Sequence, residues 1–233
     1  YNVYDFKKVM SLLINFCGVD LSAVYFDVRK DSLYCDPRFE TEEVWDGDTA
    51  TFGNRRRAAR TVMAAVLERL LTWLAPVMPF TMEEAFLESH LEGSAVGWRD
   101  ADLAARWEKI FTVRRVVTGA LEVERREKRI GASLESTPRV LIADESLIKA
   151  FEGEDAGDLF ITSGAELVHS STSEGGGFTL DDTPGVVVHP VKASGVKCRR
   201  SWKYFDPAKA DPAFPDITPR DALAVKAWDA MQD

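Results

Sequence analysis

The sequence YFDVRKDSLYCD occupies residues 25–36 and gives the first indication of the fold. This block mixes aromatic and charged residues without a helical or a strand period, which is typical of a connection kept for placement or contact. An amphipathic segment precedes it over residues 1–20, with apolar residues at helical steps: Val3, Phe6, Val9, Leu13 and Phe16. A second amphipathic segment follows over residues 55–75. The pattern therefore predicts two helices joined by a polar, aromatic loop.

A short helix is predicted after the second amphipathic segment. The Pro-Val-Met-Pro link at 76–79 ends the segment 55–75, because proline cannot continue a helix. Thr81 with Glu84 three residues later forms a capping-box pattern, which predicts a helix through Leu87.

A longer helix is predicted over residues 102–129, where apolar residues again recur at helical spacing. Gly131 stands where a C-terminal cap is expected. Four helices in about 130 residues indicate a helix bundle.

Beyond Ser133 the pattern changes to short runs separated by Gly, Ser and Asp clusters, which predict strands at 140–143, 159–162, 166–169 and 186–191. Asp144 is in position to cap a short helix through Phe151. We therefore expect a mainly α fold in three parts: a helical bundle at 1–132, a small α/β domain at 133–192 and a short C-terminal module at 193–233.

The composition is that of a soluble globular protein. Of the 233 residues, 45% are apolar, and no apolar run approaches the roughly 20 residues of a membrane helix. Cys17, Cys35 and Cys198 form no CxxC pair, so we expect reduced thiols in a cytoplasmic protein. The three histidines have no recognisable nucleophile partner, which argues against hydrolytic catalysis. Because Tyr1 is not an initiator methionine, we expect a fragment of a longer chain.

The net charge of −9 argues against a nucleic-acid partner until its location is considered. Residues 144–182 contain ten acids and one base, Lys149, and so account for the whole net charge. The other residues sum to zero, which leaves basic clusters for an anionic partner.

Two basic clusters on predicted helices are candidates for contact with a phosphate backbone. Arg115, Arg126 and Arg129 share one stripe of the 102–129 helix, although pairing with Glu122, Glu124 and Glu127 would make it an ordinary solvated face. Arg56 and Arg60 begin the 55–75 helix together with two further arginines. There, phosphate contact and pairing with the acids of residues 40–46 are equally open.

A third basic cluster lies in the tail and interleaves cations with aromatic rings, which suits single-stranded RNA. The candidate RNA contacts in this cluster are Arg199, Arg200, Trp202 and Lys203, with Lys192 and Lys197 beside them. In the opening block, Lys30 and Asp31 with their neighbouring rings either fix the block to the helices or offer stacking surfaces to unpaired bases; we favour the first.

Four of these stretches resemble the C-terminal part of class I aminoacyl-tRNA synthetases of the isoleucyl branch: 25–37, 55–87, 113–136 and 192–204. The longest match is VRRVVTGALEVERREKRIGASLES at 113–136. The resemblance implies an anticodon-binding domain at 1–132 and tRNA-Ile as the partner, bound through its anticodon stem-loop. It also implies a monomer that works with the catalytic and editing domains of the same parent chain.

The resemblance to this family limits what these residues do alone. No HIGH-like or KMSKS-like signature occurs in the sequence, so ATP and Mg²⁺ would serve a catalytic domain elsewhere in the parent chain. We expect no amino-acid activation by these residues and no catalytic residue among them.

The segment KCRRSWKY at 197–204 resembles the first half of the family's zinc-binding module, in which CxxCW is followed by a second CxxC. Only Cys198 remains, because Ser201 replaces its partner and Thr218-Pro219-Arg220-Asp221 stands where the second pair is expected. A structural zinc needs four good ligands, so we expect no metal here. An aromatic core would then hold the tail together, formed by Trp202, Tyr204, Phe205, Phe214 and Trp228.

Other interpretations stay open at this point. Valyl and leucyl enzymes share the helical domain, so the isoleucyl choice rests mainly on the tail KCRRSWKY. A protein-docking module that uses the acidic stretch 144–182, and a metalloprotein, are the rival function classes. Neither rival explains the match at 113–136.

Overall fold

The computed structural model describes residues 1–37, 51–89, 99–170 and 176–232, with the backbone alone at 51–53. The chain divides into two compact units. The sheet unit comprises Tyr1–Asp31 and Asp100–Ala222, and the helical unit comprises Ser32–Arg99 and Leu223–Asp233. Helices predominate and a small mixed sheet is present, so the expected mainly α class with an α/β part is confirmed. The domain limits at 132/133 and 192/193 stay a prediction.

The N-terminal segment forms one continuous helical stretch, Phe6–Cys35. Helix α1, Phe6–Asn15, starts where the Asp5 carboxylate accepts a backbone N–H at 3.0 Å. A π-helix, Phe16–Phe26, leads directly into α2, Asp27–Cys35.

The loop predicted at 25–36 was wrong, because this block is helical as far as Cys35. Its more buried positions include Tyr25, Val28, Ser32 and Cys35, which follow helical steps of three and four. Ser32 is only 3% exposed. A hydrophobicity pattern does not count serine as apolar, so this stripe was hidden in the sequence.

By length and composition, the helical stretch Phe6–Cys35 could also cross a membrane. The prediction that no apolar run approaches the length of a membrane helix was therefore wrong. Length and composition alone are weak evidence for a membrane span, because an apolar helix that packs within a larger protein passes the same test.

Helix α5, Ala101–Arg126, supplies the central face of the sheet unit, and it starts at Asp100, whose carboxylate accepts a backbone N–H at 2.9 Å. One of its faces is fully or almost fully buried and belongs to the core: Ile110, Val113, Val116, Val117, Ala120 and Leu121. The helix ends earlier than predicted. Its cap is Glu127 and the next residue, Lys128, is left-handed (φ 58°), so Gly131 is not the cap.

The sheet of this unit has the order β2–β1–β3. Strand β1, Arg139–Ile142, pairs in parallel with β2, Glu166–His169, and antiparallel with β3, Val186–His189. The strands predicted at 140–143, 166–169 and 186–191 are thereby confirmed. Helix α5 and the short helices between β1 and β2 share one hydrophobic core with these strands.

Two short helices connect β1 to β2. Helix α6, Glu145–Lys149, begins at the predicted cap Asp144, whose carboxylate accepts a backbone N–H at 2.8 Å. Helix α7, Ala156–Phe160, overlaps the strand predicted at 159–162, and that prediction was wrong. Leu159 and Phe160 belong to the hydrophobic core, and burial in a helix end gives the same short apolar signal as a buried strand.

The C-terminal part of the sheet unit is a small hairpin, a turn and the start of a helix as far as Ala222. Strand β4, Val196–Lys197, pairs antiparallel with β5, Tyr204–Phe205, and helix α8 covers Pro219–Asp229. Gly195 precedes the hairpin with φ 93°, and a Cβ at this position would lie 2.1 Å from the Phe205 carbonyl oxygen. Glycine is therefore required where the hairpin begins.

The helical unit contains α3, Thr51–Leu74, which packs against α4, Pro79–Ser89. The predicted turn at 76–79 is confirmed. The capping box predicted at Thr81 was wrong, because α4 already begins at Pro79, a residue suited to a first helical position.

Candidate functional site

The turn that joins β4 to β5 brings the tail residues together around one buried carboxylate, that of Asp221. Asp221 Oδ2 accepts hydrogen bonds from Cys198 Sγ at 3.0 Å, Ser201 Oγ at 2.7 Å and Thr218 Oγ1 at 2.8 Å. Cys198 and Asp221 are fully buried. We call these four residues, Cys198, Ser201, Thr218 and Asp221, the Asp221 cluster.

Two arginines balance the charge of the Asp221 cluster. Arg200 Nη1 lies 3.0 Å and Arg220 Nη2 3.3 Å from Asp221 Oδ1. Burial raises the pKa of Asp221, but Arg220 and the donors of the cluster lower it further, and the net pKa is below the ordinary value. Asp221 is therefore a carboxylate at neutral pH, and Arg200 is held beside it.

Lys203 lies in an ion-pair network within the sheet unit. Its ammonium pairs with Asp158 and is 3.6 Å from Asp31 Oδ2, and Asp31 also pairs with Arg220. Burial lowers the pKa of Lys203, but the two carboxylates raise it more. Lys203 is therefore not among the exposed candidates for RNA contact. The pairing of Asp31 supports the interpretation that this residue of the block 25–36 fixes the block to the rest of the chain.

Around the β4–β5 turn, one exposed ring and two exposed cations are present. Trp202 is 61% exposed and has a left-handed backbone (φ 64°), which is unusual for a bulky residue. Lys197 Nζ lies 5.5 Å from the centre of its ring, a cation–π distance. Arg199 is exposed, with Asp216 3.4 Å away. A flat anionic ligand that stacks on the ring would therefore lie close to Lys197.

The aromatic core predicted for the tail was wrong for two of its five members. Trp202 faces solvent, and Trp228 is 45% exposed. Tyr204, Phe205 and Phe214 are only half-buried. The polar Asp221 cluster lies at the buried centre instead.

The arginine stripe of α5 is largely paired with acids. Arg115 contacts Asp182 at 2.9 Å and Thr183 at 2.8 Å. Arg129 pairs with Glu124 at 2.5 Å and with Glu127, as the solvated-face alternative expected. Arg126 is exposed at the end of the helix.

The arginines of α3 belong to the helical unit. Arg55 forms an ion pair with Asp36 at 3.2 Å, and Arg56 Nη1 lies 3.4 Å from the Asp36 carbonyl oxygen. Arg60 is exposed. The predicted alternative partners, the acids of residues 40–46, lie outside the described residues.

Tyr25 of the opening block lines an open cavity of about 390 Å³ in the sheet unit, together with Arg29, Trp107, Phe111 and Arg114. Burial raises the pKa of Tyr25, and the positive charge of Arg29 lowers it by a smaller amount. Burial also lowers the pKa of Arg114, whose Nε donates to the Leu159 carbonyl at 2.9 Å. The cavity is mainly apolar, so these side chains serve packing.

The central role of Asp221 and the exposed position of Lys197 were not predicted from the sequence. The signal for Asp221 was present in the spacing. Two residues separate Thr218 from Asp221, just as two residues separate Cys198 from Ser201. Lys197 was named as part of the tail, but its place beside the Trp202 ring depends on the hairpin.

Comparison with known proteins identifies the family of the chain. Residues 1–142 match the family model described as "Anticodon-binding domain of tRNA ligase". The chain is 45% identical, over 99% of its length, to the isoleucine–tRNA ligase of Brucella abortus. It is 48% identical to that of Caulobacter vibrioides and 44% identical to that of Agrobacterium fabrum, over 99% and 100% of its length. The chain spans 23–24% of the length of these relatives.

Proposed function

We propose, from the premise that this chain belongs to the family of anticodon-binding domains of tRNA ligases, that it is the tRNA-binding part of an isoleucine–tRNA ligase. Its partner is tRNA-Ile, bound through the anticodon stem-loop. The catalytic and editing domains belong to other parts of the parent chain, where ATP and Mg²⁺ are used. The protein acts in the cytoplasm as a monomer, and the residues present here activate no amino acid.

The observation that carries the proposal is the exposed Trp202 ring with Lys197 beside it. Arg199 is a further exposed cation of the same β4–β5 turn. An aromatic face stacks on an unpaired base of any sequence, and neighbouring cations meet the phosphates. The left-handed backbone of Trp202 holds its side chain outside the buried cluster at some conformational cost. A residue kept exposed in this way is well suited to contact a ligand.

The proposed contact set follows from the exposure of each predicted residue. Arg60, Arg126, Arg199 and Trp202 are exposed and remain in the set, and Lys197 joins them. Arg115, Arg129 and Arg200 hold closer ion pairs, at 2.9, 2.5 and 3.0 Å, than Arg199 does at 3.4 Å, and Arg56 contacts a carbonyl oxygen. We therefore assign these four arginines to shaping the surface. Lys203 is excluded because both of its neighbours are carboxylates.

The test is binding of the chain to the anticodon stem-loop of tRNA-Ile, measured by fluorescence anisotropy over a range of salt concentrations. Trp202→Ala should weaken binding about tenfold or more, since base–aromatic stacking is worth roughly 1–3 kcal/mol per base. Lys197→Gln and Arg199→Gln should each reduce the salt slope by about one.

Lys149→Gln is the matched control, because it removes an exposed cation of the acidic region that pairs with Glu145. It should leave binding unchanged. A stem-loop with altered anticodon bases should bind more weakly than the matching one. Equal affinity for the two stem-loops, or equal effects of Trp202→Ala and Lys149→Gln, would refute the proposal and favour a docking module.

A further inference from the structure

The four members of the Asp221 cluster occupy the positions that a zinc-binding module would give to the metal. Cys198 and Ser201 are separated by two residues, as are Thr218 and Asp221. Two such pairs, each with two intervening residues, are typical of tetrahedral zinc sites. The spacing of a zinc module is thus kept while three of its four thiols are absent.

The donor set of this cluster does not fit zinc. Structural zinc is held by thiolate, imidazole and carboxylate ligands, and two of the four positions here carry neutral hydroxyl groups. Within residues 1–37, 51–89, 99–170 and 176–232, no group of three or more His, Cys, Asp or Glu side chains is placed to hold a metal ion. A metal would therefore find one thiol and one carboxylate.

The geometry shows what takes the place of the metal. The thiol and both hydroxyls donate to the same oxygen, Asp221 Oδ2, at 2.7–3.0 Å. The backbone N–H groups of Ser201 and Thr218 each lie 3.4 Å from Cys198 Sγ. One carboxylate oxygen and one sulfur thus draw together the β4–β5 turn and the start of α8.

Charge and burial explain why this arrangement is stable. A buried carboxylate is costly unless it is paired and hydrogen-bonded. Asp221 meets both conditions, because three side-chain donors satisfy one oxygen and two guanidinium groups face the other. The buried charge of Asp221 is therefore compensated by other side chains of the chain, and no metal ion is needed to compensate it.

We propose that the Asp221 cluster is a metal-free replacement for a zinc site, and that it holds the C-terminal part of the sheet unit together without any ion. Asp221 takes the central role that the metal would have. The proposal concerns only how this part of the chain is closed, so it stands or falls independently of RNA binding.

The first test uses the unmodified chain. Metal analysis after purification with zinc in the medium should show no stoichiometric zinc. Amide hydrogen exchange over residues 196–222 should be the same with and without a strong chelator. One zinc per chain, together with faster exchange after chelation, would overturn the proposal.

The second test uses two isosteric variants of aspartates in this region. Asp221→Asn should speed amide exchange over residues 196–222 by about 10- to 100-fold. The substitution removes the negative charge that accepts hydrogen bonds from three side-chain donors and two guanidinium groups. Asp216→Asn is the matched control, since Asp216 is exposed and pairs only at 3.4 Å with Arg199. Equal exchange in the two variants would contradict a central role for Asp221.

The third test restores the missing thiols with Ser201→Cys, Thr218→Cys and Asp221→Cys in one chain. Together with Cys198 this variant has four thiols at one place, and it should bind one Co²⁺ with the absorption of a tetrahedral thiolate site. A folded triple variant that binds no cobalt would overturn the assignment of the four positions.

Discussion

Asp31 and Arg220 are 189 positions apart in the sequence, and Arg220 Nη2 lies 3.1 Å from Asp31 Oδ1. The pair is bidentate, because Nη1 of the same guanidinium contacts Oδ2. It joins the N-terminal helical stretch to the residue that precedes Asp221. Asp31 is thus fixed to the C-terminal part of the sheet unit, to which it belongs.

The first prediction concerns the strength of this pair. A double-mutant cycle with Asp31→Asn and Arg220→Met should give a coupling free energy of unfolding of about 1.5–3 kcal/mol, since both side chains are largely buried. The measurement is urea unfolding of the four proteins.

The control cycle uses an exposed pair, Arg199→Met with Asp216→Asn. Arg199 is 79% exposed, and we expect a coupling below about 1 kcal/mol. If both cycles give the same coupling, burial does not decide the strength of the Asp31–Arg220 pair.

The second prediction concerns Gly119, in the middle of α5. A Cβ at this position would lie 2.9 Å from the Phe178 ring. Gly119→Ala should gain about 1 kcal/mol of helix propensity and lose about 1–3 kcal/mol to overpacking, so the expected net destabilisation lies between about zero and about 2 kcal/mol. Thermal unfolding of Gly119→Ala, with and without Phe178→Leu, separates the two terms. Phe178→Leu should restore part of the loss, and a stabilised Gly119→Ala single variant would show that the ring moves freely.

The third prediction concerns Arg106 of α5, whose guanidinium donates to two backbone carbonyl groups of the segment that follows α6. Its Nε donates to the Ala150 carbonyl at 2.8 Å and its Nη2 to the Glu152 carbonyl at 2.5 Å. Arg106→Met should cost about 1–3 kcal/mol of unfolding free energy, because both carbonyls lose a charged donor.

Arg106→Lys separates charge from geometry at the same position. Lysine keeps the charge near Glu154 but cannot reach two carbonyls with a rigid fork. Chemical denaturation should therefore show most of the Arg106→Met loss in Arg106→Lys as well. Full recovery by lysine would mean that the ion pair with Glu154 dominates.

The fourth prediction concerns pH and Lys203. Its pKa is raised in the folded protein by Asp158 and Asp31 in spite of burial, which acts in the opposite direction. A raised pKa stabilises the fold fully below the unfolded value, and the contribution is lost as the pH rises through the folded value. The stability difference between the unmodified chain and Lys203→Met should therefore be constant near neutral pH and shrink in the alkaline range above the ordinary lysine pKa. The prediction would be contradicted if this stability difference became smaller as the pH is lowered from neutral, at pH values where Asp31 and Asp158 are still ionised.

Much of the fold follows from periodicity, and the exceptions have physical reasons. Helix α5 and strands β1 and β3 were predictable because their buried positions carry apolar side chains. The helical block at 25–36 was not, because its buried stripe includes Ser32. The stretch 159–162 was misjudged, because four apolar or β-branched residues do not distinguish a helix end from a strand.

The candidate site was predictable in composition but not in exposure. Charge counts identified the cations of the tail, yet Lys203 is buried between two acids while Lys197 is exposed. Asp158 and Asp182 come from the acidic region 144–182 and pair with Lys203 and Arg115. Which acid meets which base depends on the sheet and its crossover, and no local pattern records it.

The separation of Asp31 from Arg220 has a consequence for biosynthesis. At about 5–20 residues per second, a ribosome needs roughly 10 to 40 seconds to make the 189 positions between them. For that time the helical stretch Phe6–Cys35 has left or is leaving the ribosome while its partner does not yet exist. The Asp31–Arg220 contact within the sheet unit can therefore form only after Arg220 has been translated.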